Sequence, residues 1–225
     1  MSINYRSYGG QYFRPKPTVE YDPQFELCLI ATPWGNPSSL SDALQIIKDY
    51  CTSSKNGIEA TTPFEHITCL SPLANRLRVA AQLANNYLLN QSNQSEYITG
   101  VELTLISKDK FEIAILQVGQ PQVFLKRENL DLQPLIASTS PRYLSEHSPS
   151  PPLPDEMLGI HNKVNWTIKT FRSQPNDKIL LLSHSFIPRE IYSLSENQFD
   201  LNQISWTLTK NNPEHPFWLG LLEVS

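Results

Sequence analysis

With 225 residues, 40% of them hydrophobic and 18% charged, the chain suits one large domain or two small ones and is too apolar for global disorder. Its formal net charge is −4 and it has no basic run, which argues against nucleic-acid binding because phosphate contacts need clustered lysine and arginine. Since its apolar runs are too short for a bilayer and residues 1–14 lack the apolar segment of a secretory signal, we expect a soluble, cytoplasmic protein without membrane contacts.

The N-terminal part of the chain predicts an arm, a buried strand and a helix. Residues 1–24 are typical of an irregular or edge-strand arm, and residues 25–32 form an apolar run that predicts a buried strand, ended by Pro33 and Pro37. Ser39 or Ser41 could cap the helix that follows. Its apolar residues recur at helical spacing: Leu40, Ala43, Leu44, Ile47 and Cys51.

A second helix has a stronger signal. Ser71 is a natural N-cap, and Pro72 stands at the first helical position, where a missing N–H costs nothing. Apolar residues then form a wide stripe as far as Leu88, so we expect this helix to pack on a sheet along much of its length.

From Ile98 the pattern changes to that of strands. Residues 101–105, 111–118 and 122–126 predict three successive antiparallel strands in a meander, and residues 138–156, rich in proline and serine, predict an exposed loop. Further strands are predicted over residues 164–171, 178–183 and 217–224, with a turn at Asn176-Asp177 and a short helix over 188–195. Residues 203–209 fit either a helix or a strand.

The order of these elements, together with six segments, resembles the metal-dependent (PPM, or type 2C) protein phosphatases. No segment is specific alone, and the resemblance covers the chain from about residue 8 to its end. In chain order the segments are residues 10–14, 29–35, 84–86 followed by 98–103, 117–123, 177–186 and 215–224. The resemblance implies an α+β fold, a PP2C-like four-layer α-β-β-α sandwich of two antiparallel sheets flanked by helices, formed by residues 1–225 as a single domain.

In that family, aspartates at the strand ends hold two divalent ions that activate a water for attack on a phosphoryl group. The resemblance places Thr32, Gln120, His184 and His215 where the family has these aspartates. Mg²⁺ and Mn²⁺ prefer anionic oxygen ligands, so a site that lacks these carboxylates should not hold two dications. We therefore expect no catalytic residue, no metal site and no cofactor.

The four changed residues have a simple structural interpretation, as ordinary polar side chains that close strand ends. Two functional alternatives remain open. His184 and His215 could bind a transition metal if a third ligand such as Asp22 or Glu20 came near. Arg14, which matches the family's phosphate-binding arginine, could hold a phosphorylated side chain without cleaving it.

Three hypotheses about function follow from this pattern. The leading one is a pseudophosphatase, a fold kept as a protein-binding and regulatory module whose partner is a kinase, a phosphoprotein or a complex subunit. The alternative is a residual serine/threonine phosphatase or other phosphohydrolase with a rearranged metal site. A purely structural subunit is the third. The three cysteines, Cys28, Cys51 and Cys69, show no metal-ligand spacing and are expected to be free and mostly buried thiols.

Overall fold

The computed structural model describes residues 1–10, 15–55, 64–137, 154, 156–183 and 187–224. These residues form two compact units. Unit 1 comprises Met1–Lys16, Gln120–Asp155 and Ser173–Ser225, and unit 2 comprises Pro17–Gly119 and Glu156–Arg172.

The elements of the described residues are numbered in chain order. The strands are β1 (Ser2–Tyr8), β2 (Thr18–Asp22), β3 (Leu27–Gly35), β4 (Thr99–Asp109), β5 (Glu112–Val118), β6 (Gln122–Lys126), β7 (Gln133–Ile136), β8 (Thr167–Arg172), β9 (Lys178–Ser183) and β10 (Phe217–Glu223). The helices are α1 (Leu40–Lys55), α2 (Pro72–Tyr87), α3 (Arg189–Tyr192) and α4 (Leu201–Asn211). None of these helices is long and apolar enough to cross a membrane.

Unit 2 is built on an antiparallel sheet in the order β2-β3-β4-β5-β8. Helices α1 and α2 pack on one face of it, which we call the helix-covered face, and form a core with Leu29 of β3 and Leu103 and Leu105 of β4. Alternate strand residues point to the other face, which we call the second face. Thr32 and Glu102 lie on this second face, because their strand neighbours Ala31 and Leu103 belong to the helix-covered core.

Local signals explain where the helices of unit 2 begin. As predicted, Ser71 caps α2 by accepting a hydrogen bond from the backbone N–H of Ala74 at 3.2 Å. Of the two caps predicted for α1, Ser41 lies inside the helix, and Ser39 is the residue directly before it. A 3₁₀ turn, Pro37–Ser39, precedes α1, and Asn36 caps that turn by accepting from the N–H of Ser38.

Two buried asparagines fix the segment that returns to unit 2 beside α2 and β4. Asn93 donates to the carbonyls of Thr99 and Gly159, both at 2.6 Å, and its oxygen accepts from the N–H groups of Ile98 and Thr99. Asn85 of α2 accepts from the N–H of Gly159 at 2.8 Å. These bonds satisfy buried backbone groups that no ladder could pair.

Unit 1 is built on a second antiparallel sheet, in the order β1-β10-β9-β6-β7. Helices α3 and α4 contribute to its core, where Ile191 and Ile204 meet Phe124, Leu180 and Leu219 of the strands. The N-terminal arm supplies β1 to the edge of this sheet and β2 to the edge of the other, which confirms its interpretation as edge strand.

Four predictions about the elements were wrong or incomplete. Strand β3 continues through Pro33 to Gly35, because β2 begins at Thr18, opposite Ala31, and leaves the rest of β3 with an open edge at which a residue without N–H is tolerated. Strand β6 does not continue a meander from β5 but pairs with β7 and β9 in unit 1. The ambiguous residues 203–209 lie in α4, and the four-residue strand β7 was not predicted.

The predicted loop over residues 138–156 lies outside the described residues except at two positions. Pro154 is buried and Glu156 is partly buried. The Glu156 carboxylate accepts a hydrogen bond from the Asn165 side chain at 2.6 Å.

Candidate functional site

In unit 2, the site begins at the cross-strand pair of Thr32 and Glu102. Thr32 of β3 lies directly opposite Glu102 of β4, and both side chains are buried, with exposed fractions of 3% and 0%. Cross-strand partners share a face of the sheet, so a carboxylate stands beside the position at which the family resemblance expects an aspartate. Strand β4 therefore places a carboxyl group one strand away from the position at which the resemblance expects an aspartate.

Trp34 and Gly119 surround the Glu102 carboxylate. The indole N–H of Trp34, two residues after Thr32 on the same face, donates to Glu102 Oε2 at 2.8 Å. Gly119, just after β5, has a φ of +77°, and a Cβ built there would lie 2.7 Å from Glu102 Cγ. Glycine at position 119 thus provides both the backbone conformation and the room that the buried carboxylate needs.

In unit 1, Gln120 and His215 lie at one end of the sheet. Gln122 at the start of β6 lies opposite Leu182, and Ser183 at the end of β9 lies opposite Trp218 near the start of β10. The residues that precede β6 and β10 therefore share the end at which β9 finishes. Both Gln120 and His215 are buried there, with exposed fractions of 2% and 8%.

Local contacts hold His215 in place. Its ring Nδ1 lies 2.6 Å from Asn212 Oδ1, and its backbone N–H donates to the Asn212 carbonyl at 3.4 Å. Gly10, which follows β1 and has a φ of +57°, packs so closely that a Cβ there would lie 2.4 Å from the Glu214 carbonyl oxygen. The approach of Gly10 needs a residue without a side chain, so the loop before β10 is fixed by backbone packing.

The structure does not place every predicted site residue. Thr32 belongs to unit 2, and Gln120 and His215 belong to unit 1. His184 and Arg14 lie outside the described residues.

The two carboxylates considered as third metal ligands are engaged elsewhere in unit 2. Glu20 forms an ion pair with Lys48 of α1 at 2.8 Å, and Asp22 accepts from the N–H groups of Gln24 and Phe25. Both lie opposite residues of the helix-covered core in β3, so they point away from the face that carries Thr32. Neither contributes a ligand beside Thr32.

The donor set of these positions does not fit a binuclear Mg²⁺ or Mn²⁺ site. Thr32 and Gln120 offer neutral oxygens, His215 offers an imidazole, and one oxygen of Glu102 already accepts the Trp34 N–H. Within the described ranges no three or more His, Cys, Asp or Glu residues are grouped so that they could hold a metal ion. Hard dications need several anionic oxygens each, and the described positions supply one carboxylate.

Sequence reasoning missed Glu102 as a site residue. It stands in β4 at a polar position between apolar ones, and such alternation ordinarily indicates a face in water. In the structure Thr104, its neighbour on the same face, is 0% exposed, which shows that this row of polar residues is buried. The residue pattern of β4 alone does not show this burial.

Comparisons with known proteins place the fold. No family model and no curated protein matches the sequence. Among solved structures, the PPM Ser-Thr phosphatase MsPP from Mycobacterium smegmatis is 12% identical with a TM-score of 0.70, over 100% of this chain and 99% of that one. PppA, described as a key regulatory component of T6SS in Pseudomonas aeruginosa, is 16% identical with a TM-score of 0.64, over 99% and 97%. The serine/threonine phosphatase Stp1 from Staphylococcus aureus is 13% identical with a TM-score of 0.64, over 99% and 94%.

These similarities confirm the expected fold class, the PP2C-like α+β sandwich with two antiparallel five-stranded sheets and helices. They span nearly the full length of both chains, so the resemblance of the segments in sequence reflects a shared fold. At identities this low the likeness concerns the fold, and the function must be argued from the residues.

Proposed function

We propose that this chain is a catalytically inactive, PP2C-like pseudophosphatase, a soluble cytoplasmic protein of one domain that serves protein binding and regulation. The positions that match the family's metal-binding aspartates support the proposal. Where the resemblance expects metal-binding aspartates, the described residues are Thr32, Gln120 and His215, and none is a carboxylate.

The physical reason is electrostatic. Two dications a few ångströms apart repel each other strongly, and clustered carboxylates are needed to offset that repulsion. Glu102 is the one carboxylate at the described positions, and one of its oxygens accepts from the Trp34 N–H, a neutral donor. Without paired dications, a PP2C-like site has no means of ionising its nucleophilic water at neutral pH.

A retained fold without the family's ligands favours a role in binding. Both units have a buried apolar core, so the residues that stabilise the fold are present although the family's metal ligands are not. The fold likeness to PppA, itself described as a regulatory component, supports a regulatory role with a protein partner. As part of this proposal the partner is a kinase, a phosphoprotein or a complex subunit, and Arg14 could hold a phosphorylated side chain.

Hydrolysis of p-nitrophenyl phosphate with and without Mn²⁺ tests the inactivity. We expect no Mn²⁺-stimulated turnover above buffer, and no stoichiometric Mg²⁺ or Mn²⁺ in the dialysed protein by metal analysis. An active PPM phosphatase in the same buffer is the positive control. Mn²⁺-dependent turnover that His215→Ala removes would contradict the proposal.

A residual phosphohydrolase is the second candidate, and Glu102 is the observation that favours it. Its carboxylate is buried beside Thr32 and could contribute to a rearranged metal site. Glu102→Gln keeps an acceptor for the Trp34 N–H but removes the charge. Turnover that is present in the unchanged protein and lost in Glu102→Gln would favour this candidate, while equal inactivity of both proteins supports the pseudophosphatase.

A further inference from the structure

Strand β8 (Thr167–Arg172) is an edge strand of the unit 2 sheet. It pairs with β5 on one side, and among the described residues no strand pairs with its other side. The residues Thr167, Lys169, Thr170 and Arg172 are exposed. An edge of this kind presents backbone donors and acceptors to which an extended segment can add as a further strand.

An apolar depression lies at one end of this edge. A cavity of about 440 Å³ is lined by Phe111, Glu112, Thr170, Phe171 and Arg172. Phe111, in the turn before β5, keeps 65% of its surface exposed, and the Arg172 guanidinium lies over its ring at 5.3 Å from the centroid. The cavity is in the size range that holds a large apolar side chain.

The charge of the outer edge of β8 indicates which kind of segment could bind there. Strand β8 carries Lys169 and Arg172 and no acidic residue. Arg172 lies opposite Glu112 of β5, whereas Lys169 lies opposite Ile115 and has no ion-pair partner among the residues that the structure describes. A lysine on an edge strand also discourages pairing between edges, so Lys169 alone would have a protective explanation. Phe111 does not share that explanation, because an exposed aromatic ring beside an open edge promotes association.

A second copy of the chain is a poor occupant of this edge. Pairing β8 with β8 of another copy would bring two more cations, Lys169 and Arg172, to the same short ladder. Like charges placed opposite each other destabilise strand pairing. A segment with acidic side chains would have the complementary charge.

We infer that the outer edge of β8 binds an extended, acidic segment of a partner protein as an added strand. An apolar side chain of that segment fills the depression beside Phe111, and an acidic side chain pairs with Lys169. This inference rests on the proposed protein-binding role, for which it names the surface and the chemistry of the partner. It does not depend on the absence of catalysis.

Fluorescence anisotropy of the full chain tests the inference with two labelled hexapeptides. In the first peptide glutamate alternates with valine and a phenylalanine ends the sequence, and in the second lysine replaces each glutamate. We expect saturable binding of the glutamate peptide alone. Lys169→Glu should weaken it at least tenfold, and Phe111→Ser should weaken it several-fold because the apolar pocket loses a wall.

Lys210→Glu is the matched control, since it makes the same charge change on α4 of unit 1 and should alter binding less than twofold. Hydrogen exchange should show slower exchange at the amides of residues 167–170 when the glutamate peptide is bound.

The inference is overturned by any of three results. The first is a lack of saturable binding. The second is equal weakening of binding by Lys169→Glu and Lys210→Glu, which would show that binding depends on the net charge of the protein and not on the position of Lys169. The third is a dimer, seen by sedimentation, whose β8 amides are protected without peptide. None of these results bears on phosphatase turnover, so a failure here is distinguishable from a failure of the inactive-site proposal.

Discussion

Glu102 shows how a single residue shapes the candidate site. Burying a carboxylate with no exposed surface is costly unless hydrogen bonds compensate, and the Trp34 indole N–H supplies one at 2.8 Å. The residue is also held sterically, because Gly119 leaves room for its side chain. The carboxylate, the indole and the glycine therefore act as one packed group in unit 2.

Gly119→Ala should destabilise the protein by about 2 kcal/mol, because a methyl group there meets Glu102 Cγ and a φ of +77° is strained for alanine. The free energy of unfolding from urea titration measures this effect. Gly9→Ala is the matched control, since nothing lies within 4 Å of a Cβ at that position. Equal stability of the two variants would contradict this account of the packed group.

The sequence predicted some of the individual site residues and missed others. Gln120 and His215 are buried just before β6 and β10, which agrees with their interpretation as polar residues beside strand ends, but Thr32 lies inside β3 and does not close it. Glu102 was missed because alternation along a strand identifies two faces but does not say whether the polar face meets water. That depends on what lies over the face, which one strand's pattern does not contain.

Among the elements, α2 has the clearest local signals. Ser71 satisfies the Ala74 N–H, Pro72 occupies the first turn, and the alanine-rich stripe lies in the helix-covered core with exposed fractions near zero. The cap is local, so its contribution should be separable from packing.

Ser71→Ala should lower the free energy of unfolding by about 1 kcal/mol, because the Ala74 N–H loses its acceptor. Ser41→Ala, at an exposed position inside α1, should change it by less than about 0.5 kcal/mol. Thermal or urea unfolding of both variants gives the comparison. A cost at Ser41 as large as that at Ser71 would mean that loss of a serine, and not loss of the cap, is responsible.

Helices and central strands followed from periodicity, but strand partners did not. Residues 111–118 and 122–126 were both recognised as strands, yet β5 and β6 belong to different sheets. Periodicity reports which side chains share a face and carries no information about which strand lies alongside. Strand β7 was missed because Pro134 and a register shift make it short and irregular.

Considered as a whole, the molecule has the fold class that its segments predicted, while its division into two units was not foreseen. The prediction that residues 1–225 form a single domain stays a prediction. Two buried thiols offer a global test of stability, since burial raises the pKa of both Cys28 and Cys51 from 9.0 to about 12.

Between pH 9 and pH 12 the unfolded thiols ionise while the folded thiols stay protonated, so the unfolded state binds fewer protons and stability falls as pH rises. From pH 8 to pH 10 each thiol should cost about 1 kcal/mol of unfolding free energy. Urea titrations at pH 8 and pH 10 should show a smaller loss of unfolding free energy for the Cys28→Ala, Cys51→Ala double variant than for the unchanged protein. Burial also raises the pKa of Tyr21, Tyr50 and Tyr192, so these groups contribute to the pH dependence that remains in the double variant.

Identical losses in the two proteins over this pH range would contradict the assignment to the thiols. The same titrations bear on the single-domain prediction, since one domain should give a single transition at each pH.

Strand β10 pairs with β1 on one side and β9 on the other, so the unit 1 sheet joins the beginning of the chain to its last strand. On the ribosome, β1 is synthesised first and must wait until residues 217–223 have emerged before it finds its partner. The strands of unit 2 are all available by residue 172. The unit 1 sheet is therefore completed later in synthesis than the unit 2 sheet, and the nascent chain carries β1 without its neighbour β10 until then.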